Sequence, residues 1–383
     1  METQSAPMQP QLRKYFYQKA AAMRTPISGT FELTPLCNMN CRMCYIRMTP
    51  EEMHQRGQLI TADDWIEMGR ACAEQGMLFL LITGGEPFLR KDFRYIYTEL
   101  KKLGLMIAIN SNATLIDEQT VAWLREDPPV KINVTLYGGS NDTYARLCGH
   151  PTGFDAATRA VDMLLEAGIM VNINFSFTKW NVDDMAAIME FGKSRGIQVN
   201  VATYMFPPVR SAKDGKTDDA VRFTPEEAGV ARAEAELLTL PPEQLEYRLR
   251  ALHEGHFDSG GQDEDCERTA DEQMGCMAGK ASFWITWDGR MTPCGMLNQP
   301  VVRPFEIGFA EAWRQIHQQT DQIFMPAACT NCKMRAACNV CGALCIAESG
   351  GRGDIKPEYL CRQTEAFLAE MEKAYQERFG GGP

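Results

Sequence analysis

A chain of 383 residues with 45% hydrophobic content is long enough for two or three domains with a real core, which excludes a disordered protein. A net charge of −11 with no basic stretch standing out excludes a surface that coats nucleic acid. Residues Met1 to Pro26 mix Gln, Lys, Arg and Pro without an apolar run, so neither a signal peptide nor a membrane span is expected, and a cytoplasmic location is.

In that reducing compartment the 14 cysteines are expected as thiols or metal ligands, not disulfides. Cys37, Cys41 and Cys44 form one group, Cys72 and Cys148 are isolated, and the remaining nine lie between Cys266 and Cys361. A cluster-bearing first half and a metal-rich tail follow from that distribution.

Residues 1–28 read as an N-terminal extension. From Gly29 to Thr203, β-branched or apolar runs alternate with helical periodicity, the pattern of βα units around a parallel sheet. Strands are predicted at 30–34, 77–83, 105–110, 131–137, 169–177 and 197–203. Six such units fall short of a closed eight-fold barrel.

Directly after the first strand, residues 34–45 read Thr-Pro-Leu-Cys-Asn-Met-Asn-Cys-Arg-Met-Cys-Tyr. Cys37, Cys41 and Cys44 thus offer three thiolates from one tight loop. A cubane iron-sulfur cluster takes four ligands, normally Cys, so three leave one iron open to something that is not protein. The alternatives are three buried thiols or a zinc loop; zinc closes with a fourth Cys or His, and no His lies between positions 1 and 53. Next, Thr61 to Asp64 reads as a helix start with Trp65, Met68 and Cys72 on one apolar face, which makes Cys72 core.

The second strand ends in Thr83-Gly84-Gly85-Glu86-Pro87 at the same rim. Paired glycines let backbone come close to a ligand and Glu86 can accept from a cationic amine, while an ordinary glycine turn is the alternative. Asn110 to Thr114 closes the third strand, and the polar groups of Ser111 and Asn112 suit a ribose or carboxylate; a simple turn is equally open. Thr135 sits near the end of the fourth strand, and downstream Arg146 has the bidentate geometry for a carboxylate. Cys148, beside it, has no partner in sequence and reads as a buried thiol.

The breaker-rich stretch 207–216 marks a domain boundary or a loop over the barrel mouth. Thr224 then caps a helix with Pro225 in its first turn, 241–252 reads as a second helix, and 259–265 is an acidic loop. Cys276 and Cys294 flank a predicted hairpin turning at Asp288-Gly289. Cys329-x2-Cys332-x5-Cys338 follows, then Cys341, Cys345 and Cys361, and a last amphipathic helix is predicted from Glu365 through Tyr375. The domains expected are 1–28, 29–222 (barrel), 223–262 (helical bridge), 263–363 (cysteine-rich) and 364–383 (helix and tail).

The three-cysteine loop with Gly-Gly-Glu-Pro one βα unit downstream resembles the radical S-adenosylmethionine (SAM) superfamily, and the tail resembles its SPASM extension. The resemblance implies an α/β fold, a six-stranded (β/α)6 partial TIM barrel with a C-terminal SPASM domain. It implies one SAM-binding 4Fe-4S cluster on Cys37, Cys41 and Cys44, with S-adenosylmethionine contacted by Tyr45, Gly84, Gly85, Glu86, Pro87, Ser111, Asn112, Thr135 and Arg146. It further implies two auxiliary 4Fe-4S clusters: a distal one on Cys329, Cys332, Cys338 and Cys361, and a proximal one on Cys276, Cys294, Cys345 and Cys266, with Cys341 as the alternative to Cys345. Two closed clusters need eight thiolates, which the tail supplies with one to spare; zinc ribbons are the other reading of its Cys-x2-Cys pairs. Two positions depart from the family: Tyr137 stands where many members carry an acid, and Met43 replaces an aromatic residue before the third cluster cysteine.

The activity implied is reductive cleavage of S-adenosylmethionine to a 5'-deoxyadenosyl radical and oxidative modification of a peptide or protein side chain, such as a thioether or carbon-carbon crosslink in a ribosomally made peptide. A flavodoxin- or ferredoxin-type reductant is implied as partner. Only 36 residues precede Cys37, too few for a leader-binding module of about 80, so a separate leader-peptide-binding protein or the barrel rim is expected. Gly295 after Cys294, where sulfatase-maturing relatives carry an acid, points away from formylglycine formation. A radical enzyme of small-molecule cofactor biosynthesis and a non-catalytic iron-sulfur electron carrier remain open.

Overall fold

The structure, a computed structural model, describes residues 10–208, 218–256, 274 and 276–380. Cys266, the acidic loop and most of the predicted boundary loop lie outside the described residues. Six parallel strands form where the apolar runs are: β1 (Ser28–Glu32), β2 (Phe79–Thr83), β3 (Met106–Ser111), β4 (Lys131–Leu136), β5 (Val171–Ser176) and β6 (Val199–Ala202). Each strand alternates. One set of side chains, including Phe31, Ile82, Ile109, Val134 and Phe175, is fully buried beneath the surrounding helices. The other set, including Thr30, Asn110, Asn133, Thr135 and Asn174, is half-buried and faces the concave side of the sheet.

The predicted hairpin is present as β7 (Ser282–Ile285) and β8 (Met291–Thr292), antiparallel, with Gly289 at φ 79° in the turn. Its place in the fold was not foreseen. β7 pairs in parallel with β1, Ser28 opposite Ser282, so one eight-stranded sheet runs β6-β5-β4-β3-β2-β1-β7-β8. Because β6 and β8 stand at opposite ends of that order, the sheet is an unclosed partial barrel.

The extension forms a helix, Pro10–Met23, whose Tyr17 ring stacks on Phe79 at the start of β2 with centroids 5.8 Å apart. It therefore covers the strand ends opposite the cysteine loop. The last helix begins earlier than predicted, spanning Glu358–Phe379 and carrying Cys361 in its first turn. It packs so closely on Pro225–Thr239 that a Cβ on Gly229 would lie 2.4 Å from the Gln363 carbonyl oxygen. Where the barrel meets the tail, Arg222 and Tyr204 both donate to Glu348, and the Arg222 guanidinium lies 3.8 Å from the Tyr359 ring centroid. Arg222 and Glu348 expose only 9% and 6% of their side chains, so the two halves meet across a buried ion pair.

Candidate active site

Beyond β1 the chain runs extended through Thr34–Leu36 into the cysteine loop. That segment lies directly against the end of β2: Gly85 N–H donates to the Thr34 carbonyl at 2.6 Å and Glu86 N–H to the Leu36 carbonyl at 2.9 Å. A Cβ on Gly85 would fall 2.2 Å from the Leu36 carbonyl oxygen, and one on Gly84 2.7 Å from that of Thr34. The glycines are required by the chain's own backbone at this close approach.

Glu86 ties the same rim together. Its carboxylate is fully buried and accepts from three protein donors: Phe88 N–H at 3.1 Å, Ser111 Oγ–H at 2.9 Å and Asn112 N–H at 2.8 Å. It clasps the end of β3 to the end of β2. Burial pushes its pKa up to about 7 against the lowering effect of those donors. Asn112, also buried, donates through Nδ2 to Asn38 Oδ1 at 3.0 Å and to Cys37 Sγ at 3.6 Å, and Asn38 donates to Thr114 Oγ1 at 2.8 Å. Between them Ala113, buried and not glycine, adopts φ 62°, a strained turn that lets both neighbours reach the cysteine loop.

The three motif thiols are brought together in this cradle. Met39 N–H points at Cys37 Sγ (3.4 Å) and Arg47 N–H at Cys44 Sγ (3.3 Å). Burial drives the Cys37 thiol up to about 12, partly offset by that Met39 donor. Cys41 is raised well above the ordinary thiol range, first by a hydrogen bond with Cys148 and then by burial. Such thiols keep their protons until a cation displaces them, which is how a buried thiolate metal site loads.

Pro87 begins a short turn after Glu86 and is buried, and Tyr45 rests on Phe206 with ring centroids 5.0 Å apart. Gly84 to Pro87, Ser111 and Asn112 therefore meet at the cysteine loop. Arg146 does not join them. It is exposed and lines a cavity of about 410 Å³ with Asn40, Cys41, Arg42 and Asp218, none of it formed by the Gly84 to Pro87 segment.

Thr135 belongs to a feature the sequence reading missed. Across the concave face Asn110 stands opposite Asn133 and Asn133 opposite Asn172; one step up, Thr135 stands opposite Asn174 and Asn174 opposite Asn200. The amides bond along the rows, Asn133 Nδ2 to Asn110 Oδ1 at 2.8 Å and Asn200 Nδ2 to Asn174 Oδ1 at 3.2 Å. The signal was present, since Asn is depleted in strands and recurs here in four of them.

In the tail, thiols gather in two groups. Cys341 packs in one cluster with Cys294, and burial pushes it up to about 12, with Cys276 and Cys294 adding to the rise. Cys329 and the fully buried Cys345 pack in another cluster with Met325, and burial raises the thiols of Cys338 and Cys361 as well. Cys341, not Cys345, thus shares a cluster with Cys294. Cys341 stands at the N-cap position of the helix Gly342–Glu348 and Cys345 lies inside it, about 6 Å further along the axis.

Residues 31–192 match the Radical SAM superfamily. That stretch, the barrel, is a radical SAM domain. The AdoMet-dependent heme synthase of Oleidesulfovibrio alaskensis is 23% identical over 349 residues, 86% of each chain. The PqqA peptide cyclase of Granulibacter bethesdensis is 22% identical over 384 residues, 90% of this chain and 96% of the relative. The crystal structure of Streptococcus suis SuiB bound to precursor peptide SuiA superposes with a TM-score of 0.61 at 16% identity, over 89% of this chain and 78% of SuiB, a likeness of fold. The residues present fit the superfamily's 4Fe-4S cluster: three thiols from one loop, with N–H donors aimed at the sulfurs of Cys37 and Cys44 and no ligand from the loop for a fourth iron. Among the described residues no helix is long and apolar enough to cross a membrane.

Proposed function

We propose that this radical SAM enzyme oxidatively modifies a peptide or protein side chain, as in the maturation of a ribosomally made peptide. The observation that carries the reading is the concave face: an unclosed sheet whose inner rows present the half-buried Asn110, Asn133, Asn172 and Asn174 and the exposed Asn200. A primary amide both donates and accepts, the complement of a peptide backbone, whereas an anionic small molecule asks for cations. The PqqA peptide cyclase relative and the fold shared with peptide-bound SuiB support it.

When bound, the cluster and S-adenosylmethionine supply a one-electron cleavage of the sulfonium that ends in hydrogen removal from an unactivated carbon. The chain's own residues hold and shield that chemistry. Glu86, Asn112 and Asn38 fix the cysteine loop against β2 and β3, and the concave face orients the substrate. Auxiliary 4Fe-4S clusters, which could take up the electron left after bond formation, are assigned to Cys276, Cys294 and Cys341 with Cys266, and to Cys329, Cys332, Cys338 and Cys361. A flavodoxin- or ferredoxin-type protein would supply the electron, and a separate leader-binding protein could deliver the peptide.

The heme-synthase relatives, which match across most of the chain, favour a second reading in which the substrate is a tetrapyrrole. Anaerobic incubation of reconstituted protein with reductant, S-adenosylmethionine and either peptides encoded beside its gene or a heme precursor separates the two. Loss of hydrogens from a peptide by mass spectrometry is the expected result. Turnover of the tetrapyrrole alone would overturn the peptide assignment.

A further inference from the structure

The two ends of the sheet are finished differently. At β8 the chain covers its own edge: Met291 N–H donates to the Val302 carbonyl at 2.8 Å, and Val302 N–H to the Met291 carbonyl at 3.0 Å. At β6 no strand follows. The carbonyls of Gln198 and Ala202 accept from Ile173 N–H at 3.0 Å and Phe177 N–H at 2.8 Å, so the even-numbered residues bond to β5. The alternation of a parallel strand then turns the N–H and C=O of Val199 and Val201 outward. Among the described residues neither of those backbones has a hydrogen-bond partner. Protein edges are commonly blunted by charge or proline, and Val199–Ala202, reading Val-Asn-Val-Ala, carries neither.

Side chains of β6 sort by face. A Cβ on Gly192 would lie 2.3 Å from Val199 Cγ2, so the helix Met185–Ser194 packs on the outer face. Asn200 and Ala202 stand opposite Asn174 and Ser176 on the concave face and are exposed. From the edge an amide chain runs inward: Gln198 Nε2 donates to Asn200 Oδ1 at 3.1 Å, and Asn200 Nδ2 to Asn174 Oδ1 at 3.2 Å. The open edge is therefore continuous with the amide rows of the concave face. Outward donors and acceptors at every second residue match an extended peptide, which offers its own at the same interval. A tetrapyrrole has no such repeat.

Resting on the peptide reading given above, we propose that the substrate peptide docks as an added strand on the free edge of β6. Its backbone bonds Val199 and Val201, and every second side chain turns toward the concave face, where the chemistry reaches it.

The test uses the reconstituted full chain and, as probe, the peptide encoded beside its gene that loses hydrogens in the assay above. Synthetic versions N-methylated at one residue at a time are expected to alternate along the docked stretch. Methylation at residues facing β6 removes a backbone donor and should raise KM about tenfold, while methylation at their neighbours should leave it near the parent. Amide hydrogen exchange in residues 198–203 is expected to slow when the peptide binds. Val201→Pro, which deletes an outward N–H and is compatible with an edge strand, should raise KM about tenfold over Val201→Ala. Should Val201→Pro fail to fold, the first two readouts decide the matter on the parent protein. A methylation series without alternation, or exchange at 198–203 that the peptide leaves unchanged, overturns the docking while the peptide reading stands. Protection of those residues that grows with protein concentration and needs no peptide assigns the edge to a second copy and overturns it as well. Turnover of a tetrapyrrole with no peptide modified overturns the reading beneath it.

Discussion

Replacing Gly85 with alanine probes how this radical SAM site is built, because the added carbon meets backbone that cannot swing aside. Its Cβ would sit 2.2 Å from the Leu36 carbonyl oxygen, 2.6 Å from the carbon of that carbonyl and 2.9 Å from that of Pro35. Overpacking of this kind costs about 1–3 kcal/mol. Relief requires lifting the loop from the Thr34–Leu36 segment, which loses the Gly85 and Glu86 N–H bonds at about 1 kcal/mol each. The sum is about 3–5 kcal/mol, a large part of the roughly 5–15 kcal/mol that holds a domain folded. Gly104→Ala is the control, since nothing lies within 4 Å of its Cβ and only a φ of +81° opposes the change, a penalty of about 1–2 kcal/mol. Urea denaturation of the metal-free protein, paired with iron content after reconstitution, reads both consequences. A Gly85→Ala protein as stable as Gly104→Ala, with the parental iron content, would refute the claim that these glycines serve backbone approach.

Glu86 gives a pH signature. Its folded-state pKa is raised from 4.5 to about 7 by burial, so between those values the unfolded state is charged while the folded state holds a proton. Stability of the metal-free protein should therefore fall as pH rises from about 4.5 to 7, by about 3 kcal/mol at 1.36 kcal/mol per unit, and Glu86→Gln should flatten the difference; identical pH profiles for the two proteins would contradict it. Arg222→Met strands Glu348, whose side chain is only 6% exposed, and should cost about 3–5 kcal/mol. Adding Glu348→Gln should restore most of that loss by denaturant titration. In the tail, Cys341→Ala should lose about four irons per chain by elemental analysis, whereas Cys345→Ala should keep them; the opposite order would reinstate Cys345.

Much of the fold was legible because its signals are local. Apolar runs of strand length placed β1 to β6, the Asp288-Gly289 turn placed the β7–β8 hairpin, and Thr224 with Pro225 placed a helix start. The cysteine spacing and the Gly-Gly-Glu-Pro segment pointed to the site. The Asn rows were readable in principle, yet period-two polarity inside otherwise apolar parallel strands was read only as strand.

The sequence by itself determined the class of chemistry, since three thiols within eight residues can close on iron from one loop whatever surrounds them. Only the tertiary structure decided who stands next to whom. Cys148 comes to Cys41 because a helix end 107 residues away in the chain docks on the loop backbone. Gly84, Gly85 and Glu86 form a clasp at this rim because β1 and β2 run side by side. Cys341 and Cys345 parted because one turn of helix separates them. Contacts between distant segments are set by how sheets and helices pack in three dimensions, and spacing along the chain carries no record of that.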